Sequence, residues 1–118
     1  MSDINALITS IFTDFTVDGV AVPVCYMRYN GHDTAYVTWM QMSCDASLTA
    51  DDDLQGYVGF YDFDIYSKGN YTRIIEELKQ KLKDNGFVWQ VSRSSPDMFE
   101  DDTGYYHKTL NFAIYEEA

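Results

Sequence analysis

The sequence predicts an α+β domain: a mixed, mainly antiparallel sheet of about five strands with two helices on one face, in the order α-β-β-β-α-β-β. Three observations predict it. Apolar residues recur at helical spacing twice, over Ile4–Phe15 and over Tyr71–Leu82. Between and after these stretches lie runs rich in aromatic and β-branched residues, the composition of strands. Gly56 to Val91 then gives strand, turn, helix and strand in direct succession. The chain of 118 residues suits a single domain, 1–118, with no internal repeat, linker or low-complexity tract.

The first helix carries Ile4, Leu7, Ile8, Ile11, Phe12 and Phe15 on one face and ends near Thr13 or Asp14. Ser2 or Asp3 can accept a bond from an orphan N–H as its N-cap. Asp18-Gly19 marks a turn, and Pro23 interrupts pairing before the first firm strand. Val24–Tyr29 and Thr34–Cys44 read as a hairpin around Asn30-Gly31, which puts Cys25 opposite about residue 39. In the second of these strands Tyr36, Thr38, Met40, Met42 and Cys44 share one face. Ala35, Val37, Trp39, Gln41 and Ser43 share the other, and neither face is plainly polar. Such a strand is buried on both sides or covered by another subunit.

Asp45–Gln55 reads as a polar loop. The strand Gly56–Tyr66 follows, with Tyr57, Gly59, Tyr61, Phe63 and Ile65 on one face and Asp62 and Asp64 on the other. In the second helix Tyr71, Ile74, Ile75, Leu78 and Leu82 face the core, and Glu76–Gln80 and Glu77–Lys81 support the solvent side. Asn85-Gly86 suits a left-handed C-cap, after which Phe87, Trp89 and Val91 open a strand. Ser94–Gly104 is long for a hairpin loop and holds Met98 and Phe99 among acidic residues. The last strand, Tyr105–Glu116, directs Tyr106, Leu110, Phe112 and Ile114 inward and Thr109 and Asn111 outward.

Eight Lys and Arg against nineteen Asp and Glu give a formal charge of −11. Phosphate backbones and anionic membranes are bound through Lys and Arg, so this balance argues against direct nucleic-acid binding and against a membrane surface. No apolar run approaches the ~20 residues of a membrane span, and the N-terminus lacks the pattern of a signal peptide. An intracellular product is expected. The acid clusters at Asp51-Asp52-Asp53 and at Asp97, Glu100, Asp101 and Asp102, either as solvated loops or as surfaces for a basic partner.

Site chemistry is sparse. There is no phosphate-binding glycine motif, and His32 and His107 stand at ligand spacing from no other candidate, so neither cofactor nor metal is expected. Cys25 and Cys44 are too few for a disulfide framework and read as reduced thiols. Cys25 with His32 is a weak thiol–imidazole pair, since a hairpin turn points the two apart. The best acid–base set is Asp62 and Asp64 with His107, on one sheet face if their strands are neighbours. No nucleophile or oxyanion feature accompanies it, and outward polar residues are ordinary on strands. No enzyme is expected. Ten Tyr, two Trp and five Met, by contrast, supply the residue types enriched at interface cores.

Asp62-Phe63-Asp64-Ile65-Tyr66-Ser67-Lys68 running into an amphipathic helix resembles the small tail-completion proteins, or tail terminators, of long-tailed phages and prophages. These are also described as head–tail joining or minor capsid proteins. Val22-Pro23-Val24 after an N-terminal helix, Asn85-Gly86-Phe87 at the helix end and the strand Tyr106–Phe112 extend the likeness from about Ile4 to Tyr115. The resemblance implies a hexameric ring on the head-proximal end of the tail tube. Such a ring halts tube growth and meets the head connector, so the implied partners are copies of itself, the tube protein and the connector. Its place would be the virion tail, assembled in the cytoplasm of the bacterial host, and the family brings no catalytic residues. The acidic excess also fits the expectation that a DNA conduit should not bind its cargo. Polarity puts the candidate contacts in the two loops, at Asp51, Asp52, Asp53 and Leu54 and at Met98, Phe99, Asp101 and Asp102. The competing class is a small acidic binding module, such as an immunity protein or a DNA mimic that inhibits a nuclease.

Overall fold

A computed structural model describes residues 4–31, 33–50 and 53–117, with the side chains of 46–50, 53–55 and 117 left undescribed. The elements are α1 (Ile4–Ile11), β1 (Thr16–Val17), β2 (Val20–Ala21), β3 (Val24–Tyr26), β4 (Ala35–Ala50) and β5 (Asp53–Ser67). They continue with α2 (Thr72–Asp84), β6 (Val88–Gln90), a 3₁₀ turn at Val91–Arg93, β7 (Met98–Glu100) and β8 (Tyr105–Glu117). The fold is α+β, as the sequence implies.

The main sheet runs β3-β4-β5-β8-β6, and β7 also pairs with β8. Only β3–β4 is parallel. Odd residues of β4 and β5 and even residues of β8 form one face. There Val37, Trp39, Tyr61, Phe63, Ile65, Leu110 and Phe112 are buried with Ile8 and Phe12 of the first helical stretch and Ile74, Leu78 and Leu82 of α2. Both helices therefore cover one face, and burying this apolar surface is the main favourable term in folding. The phenyl ring of Phe63 sits at the centre, with Phe12, Phe87 and Phe112 rings around it.

Local signals hold where the backbone itself dictates the outcome. Asp18 and Gly19 both take positive φ, 52° and 81°, and close the two-residue β1–β2 hairpin. At the end of α2, Gly86 (φ 89°) donates its N–H to Lys83 O and Phe87 to Leu82 O, a Schellman stop. Asn70, just before the N-cap Tyr71, accepts the Thr72 N–H at 2.8 Å and turns the chain into α2. The helix's ion pairs run from Arg73 to Glu76 and Glu77, with Gln80 donating to Asp84. The expected N-cap, Ser2 or Asp3, lies outside the described residues.

Four expectations are corrected. Asn30-Gly31 closes no hairpin: β3 lies parallel to β4, with Cys25 beside Thr38. Met27 adopts φ 66° and sends the chain back along a strand of only three residues, a return short enough for a loop to make. Asp45–Gln55 is no loop either, because β4 and β5 stay paired through Ala50↔Asp53. Polar composition marked this stretch as a turn, but backbone pairing between strands does not depend on apolar alternation. The supposed 94–104 loop contains β7, paired as Phe99↔Tyr106 and Glu100↔Tyr105. Finally, Tyr106 is exposed; it has core parity but its ring meets that of Phe99 at a tilt, 4.9 Å between centres, at the sheet edge.

A bulge at Met42 also alters the reading of β4. Gln41 pairs with Tyr61 and Ser43 with Phe60, so Met42 is the extra residue. Beyond it the parity flips: Ser43 joins the face of Met40, and Cys44 joins the face of Trp39. The long β4–β5 hairpin and the end of β8 make the molecule 52 × 26 × 24 Å. Its radius of gyration is 15.4 Å, against about 13.5 Å for a compact chain of this length.

Candidate functional site

The face opposite the helices is built by three rows of residues, each crossing β4, β5 and β8. They are Tyr36–Tyr66–His107, Thr38–Asp64–Thr109 and Met40–Asp62–Asn111. In the first row the rings stack continuously. Tyr29 lies on Tyr36 at 4.3 Å, Tyr36 on Tyr66 at 4.7 Å and Tyr66 on His107 at 4.1 Å. Tyr105 meets Tyr36 and Tyr66 edge-on, donates to Asp33 O at 2.8 Å and carries the Lys68 ammonium over its ring. Burial, reinforced by the Asp64 carboxylate, pushes the Tyr66 phenol up to about 12.

The neighbouring rows are hydrogen-bonded inward. His107 Nε2 lies 3.0 Å from Asp64 Oδ1 and Nδ1 lies 3.3 Å from Glu100. Thr109 also donates its hydroxyl to Asp64. Asn111 Nδ2 donates to Asp62 at 2.7 Å. Burial raises the Asp62 pKa, the Asn111 bond opposes this, and the Asp64 charge adds to the rise. The structure thus joins Asp64 with His107 but hands Asp62 to Asn111. Carboxylates flank both ring nitrogens of His107, and Tyr66 covers its face. This is chemistry of a cross-strand network, in which Asp62, Asp64 and His107 are each turned toward a protein neighbour. Cys25 sits in β3, and its suggested partner His32 lies outside the described residues. Among the described residues no group of three or more His, Cys, Asp or Glu side chains could hold a metal ion.

A different pattern marks the two lateral edges of the sheet. Among the described residues, every exposed large apolar side chain except Val20 and Tyr115 lies there. Tyr26, Met27 and Met42 line the β3–β4 edge. Val88, Trp89, Val91, Met98, Phe99 and Tyr106 line the β6–β7 edge. Exposed apolar residues on an edge strand are a template for association. Against the second edge α2 leaves a groove of about 340 Å³, lined by Lys79, Lys83, Phe87, Val88, Trp89 and Phe112. The Lys79 ammonium lies 3.4 Å from the centre of the Trp89 ring. Burial, and then the charge of Lys108, lowers its pKa.

Of the residues proposed from sequence as contacts, Met98 and Phe99 are exposed on β7, and Asp101 and Asp102 form the adjoining turn. Asp51 and Asp52 lie outside the described residues; Asp53 and Leu54 open β5, and only their backbone is described. The lysine-rimmed groove and Met42 were not singled out by the sequence. Lys79 and Lys83, one turn apart on α2, were the available signal. Compared with known proteins, the chain matches no family model and no curated relative.

Proposed function

We propose that this protein is a structural subunit of a phage or prophage tail. As a ring it caps the head-proximal end of the tail tube and joins it to the head connector. The observation that carries the reading is the pair of apolar sheet edges on opposite sides of one subunit. Two different edges on one chain suit a head-to-tail contact, the kind that closes into rings. The resemblance at Asp62–Lys68 and Asn85–Phe87 supplies the biological setting. The charge of −11 agrees with a channel that passes DNA without holding it. Catalysis, cofactors and membrane contact form no part of this function.

Light scattering after size exclusion, at low and high protein concentration, tests it. A mass of roughly six subunits, with rings under the electron microscope, supports the cap. A monomer at every concentration that binds a basic partner in a salt-sensitive way supports the acidic binding module instead. That second reading is favoured by the carboxylates at the β7–β8 turn, Glu100, Asp101 and Asp102.

A further inference from the structure

Among the described residues no strand pairs with β6 on its outer side. Ser94 shows which main-chain groups of β6 face that way. Its hydroxyl donates to Gln90 O at 2.9 Å and accepts the Asn111 N–H at 3.1 Å, bridging the pair Gln90↔Asn111. Gln90 therefore turns its main-chain groups toward β8. Alternation along a strand turns those of Trp89 the other way, toward the open edge. The Trp89 side chain belongs to the helix face, because its partner Phe112 is buried beneath the helices.

Beside this open rung lies the groove of about 340 Å³ between α2 and β6, with the buried rings of Phe87 and Phe112 in its lining. Lys79 and Lys83 stand one helical turn apart along it, and among the described residues neither forms an ion pair. The acids of α2 are committed elsewhere. Glu76 and Glu77 pair with Arg73, and Asp84 accepts the Gln80 amide. Burial and the charge of Lys108 both act against the Lys79 ammonium, and a carboxylate brought to the groove would oppose both.

These features select among occupants. An alkyl chain would cover the Trp89 N–H and C=O without pairing them, which is costly. A second copy would bring a further charge of −11 to the contact. A short extended segment meets all the requirements, since its backbone can pair with Trp89 as an added strand. Residues opposite one another in paired strands point to the same face. The segment residue facing Trp89 thus sends its side chain into the groove, and residues two positions away share that face.

We infer that the α2–β6 groove takes an extended acidic segment of a partner protein, added to β6 as a further strand. A large apolar residue of the segment sits opposite Trp89, and acidic residues two positions to either side meet Lys79 and Lys83. The inference does not rest on the ring reading, because Met98, Phe99 and Tyr106, farther along the edge, stay exposed for contact between copies.

Calorimetric titration of the full chain with synthetic peptides tests it. The probe is a capped peptide with a central leucine, glutamates two positions to either side and threonines elsewhere. It binds wild type, and K79E/K83E weakens it on the order of tenfold or more. A peptide with lysines for glutamates shows the reverse preference. Methylating the leucine amide nitrogen, which removes the donor opposite Trp89, weakens binding to wild type by a similar factor. Unchanged circular dichroism and melting temperature show that K79E/K83E folds. Four results overturn the inference: no binding of the acidic peptide at millimolar concentration, equal binding by K79E/K83E, equal binding of the methylated peptide, or binding of decanoate in place of the peptide. Self-association of wild type that K79E/K83E abolishes, without peptide binding, makes a second copy the occupant and also overturns it. The ring is decided separately, by the mass of the wild-type assembly.

Discussion

The two faces of the sheet are made by alternate residues of the same strands, yet they are held by different physics. Phe63 and Asp64 are neighbours in β5. Phe63 is fully buried among rings beneath the helices, whereas Asp64 accepts bonds from His107 and Thr109 on the uncovered side. The helix face excludes water, so its stability scales with apolar area and packing. The open face has no covering layer and spends its polar groups on one another across strands, where each bond contributes modestly. One side of the sheet thus supplies most of the stability. The other fixes register.

The largest test of this contrast is Phe63→Ala, expected to cost about 3–5 kcal/mol by urea denaturation. Asp64→Ala, one residue away, should cost only about 1–2 kcal/mol in the same assay. Equal losses would mean that the open face is packed like a core. Next in size, Gly86→Ala should cost about 1 kcal/mol. Its added Cβ meets nothing within 4 Å, so any loss comes from the positive φ of 89° alone. A larger loss would show that the stop of α2 controls how the helix seats on its face.

The smallest effect is alkaline. A phenol whose folded pKa lies above its ordinary value of 10.0, at about 12 for Tyr66, holds its proton more tightly in the folded state. Its contribution is full below pH 10 and declines as pH rises toward the folded value. Tyr66→Phe should therefore flatten the fall in stability between those values, followed by denaturation at stepped pH. Tyr61, raised to about 12 on the helix face chiefly by burial, continues to titrate in that variant. An unaltered alkaline profile in Tyr66→Phe would remove the stacked row from the account.

Local chemistry made much of this molecule legible. Helical spacing gave both helices and their buried faces, Asp18-Gly19 and Asn85-Gly86 gave a turn and a stop, and alternation in β5 separated Phe63 from Asp64. Asp62, Asp64 and His107 were readable as candidates sharing a face, since parity along a strand is a local property. Their division into an Asp64–His107 contact and an Asp62–Asn111 contact was not, because it depends on which residues the register sets side by side.

The sequence by itself determined the α+β class, the two helices on one face, the acidic charge and the abundance of interface-type residues. Those follow from periodicities and compositions that each segment carries alone. Tertiary structure decided that β3 runs parallel to β4, that β4 and β5 extend to the ends of their hairpin, and that β7 borders β8. It also decided that Met42 stands level with Trp89 across the sheet. These are pairings between distant segments, set by hydrogen-bond register and by a single bulged residue. A shift of one residue there moves every later side chain to the other face.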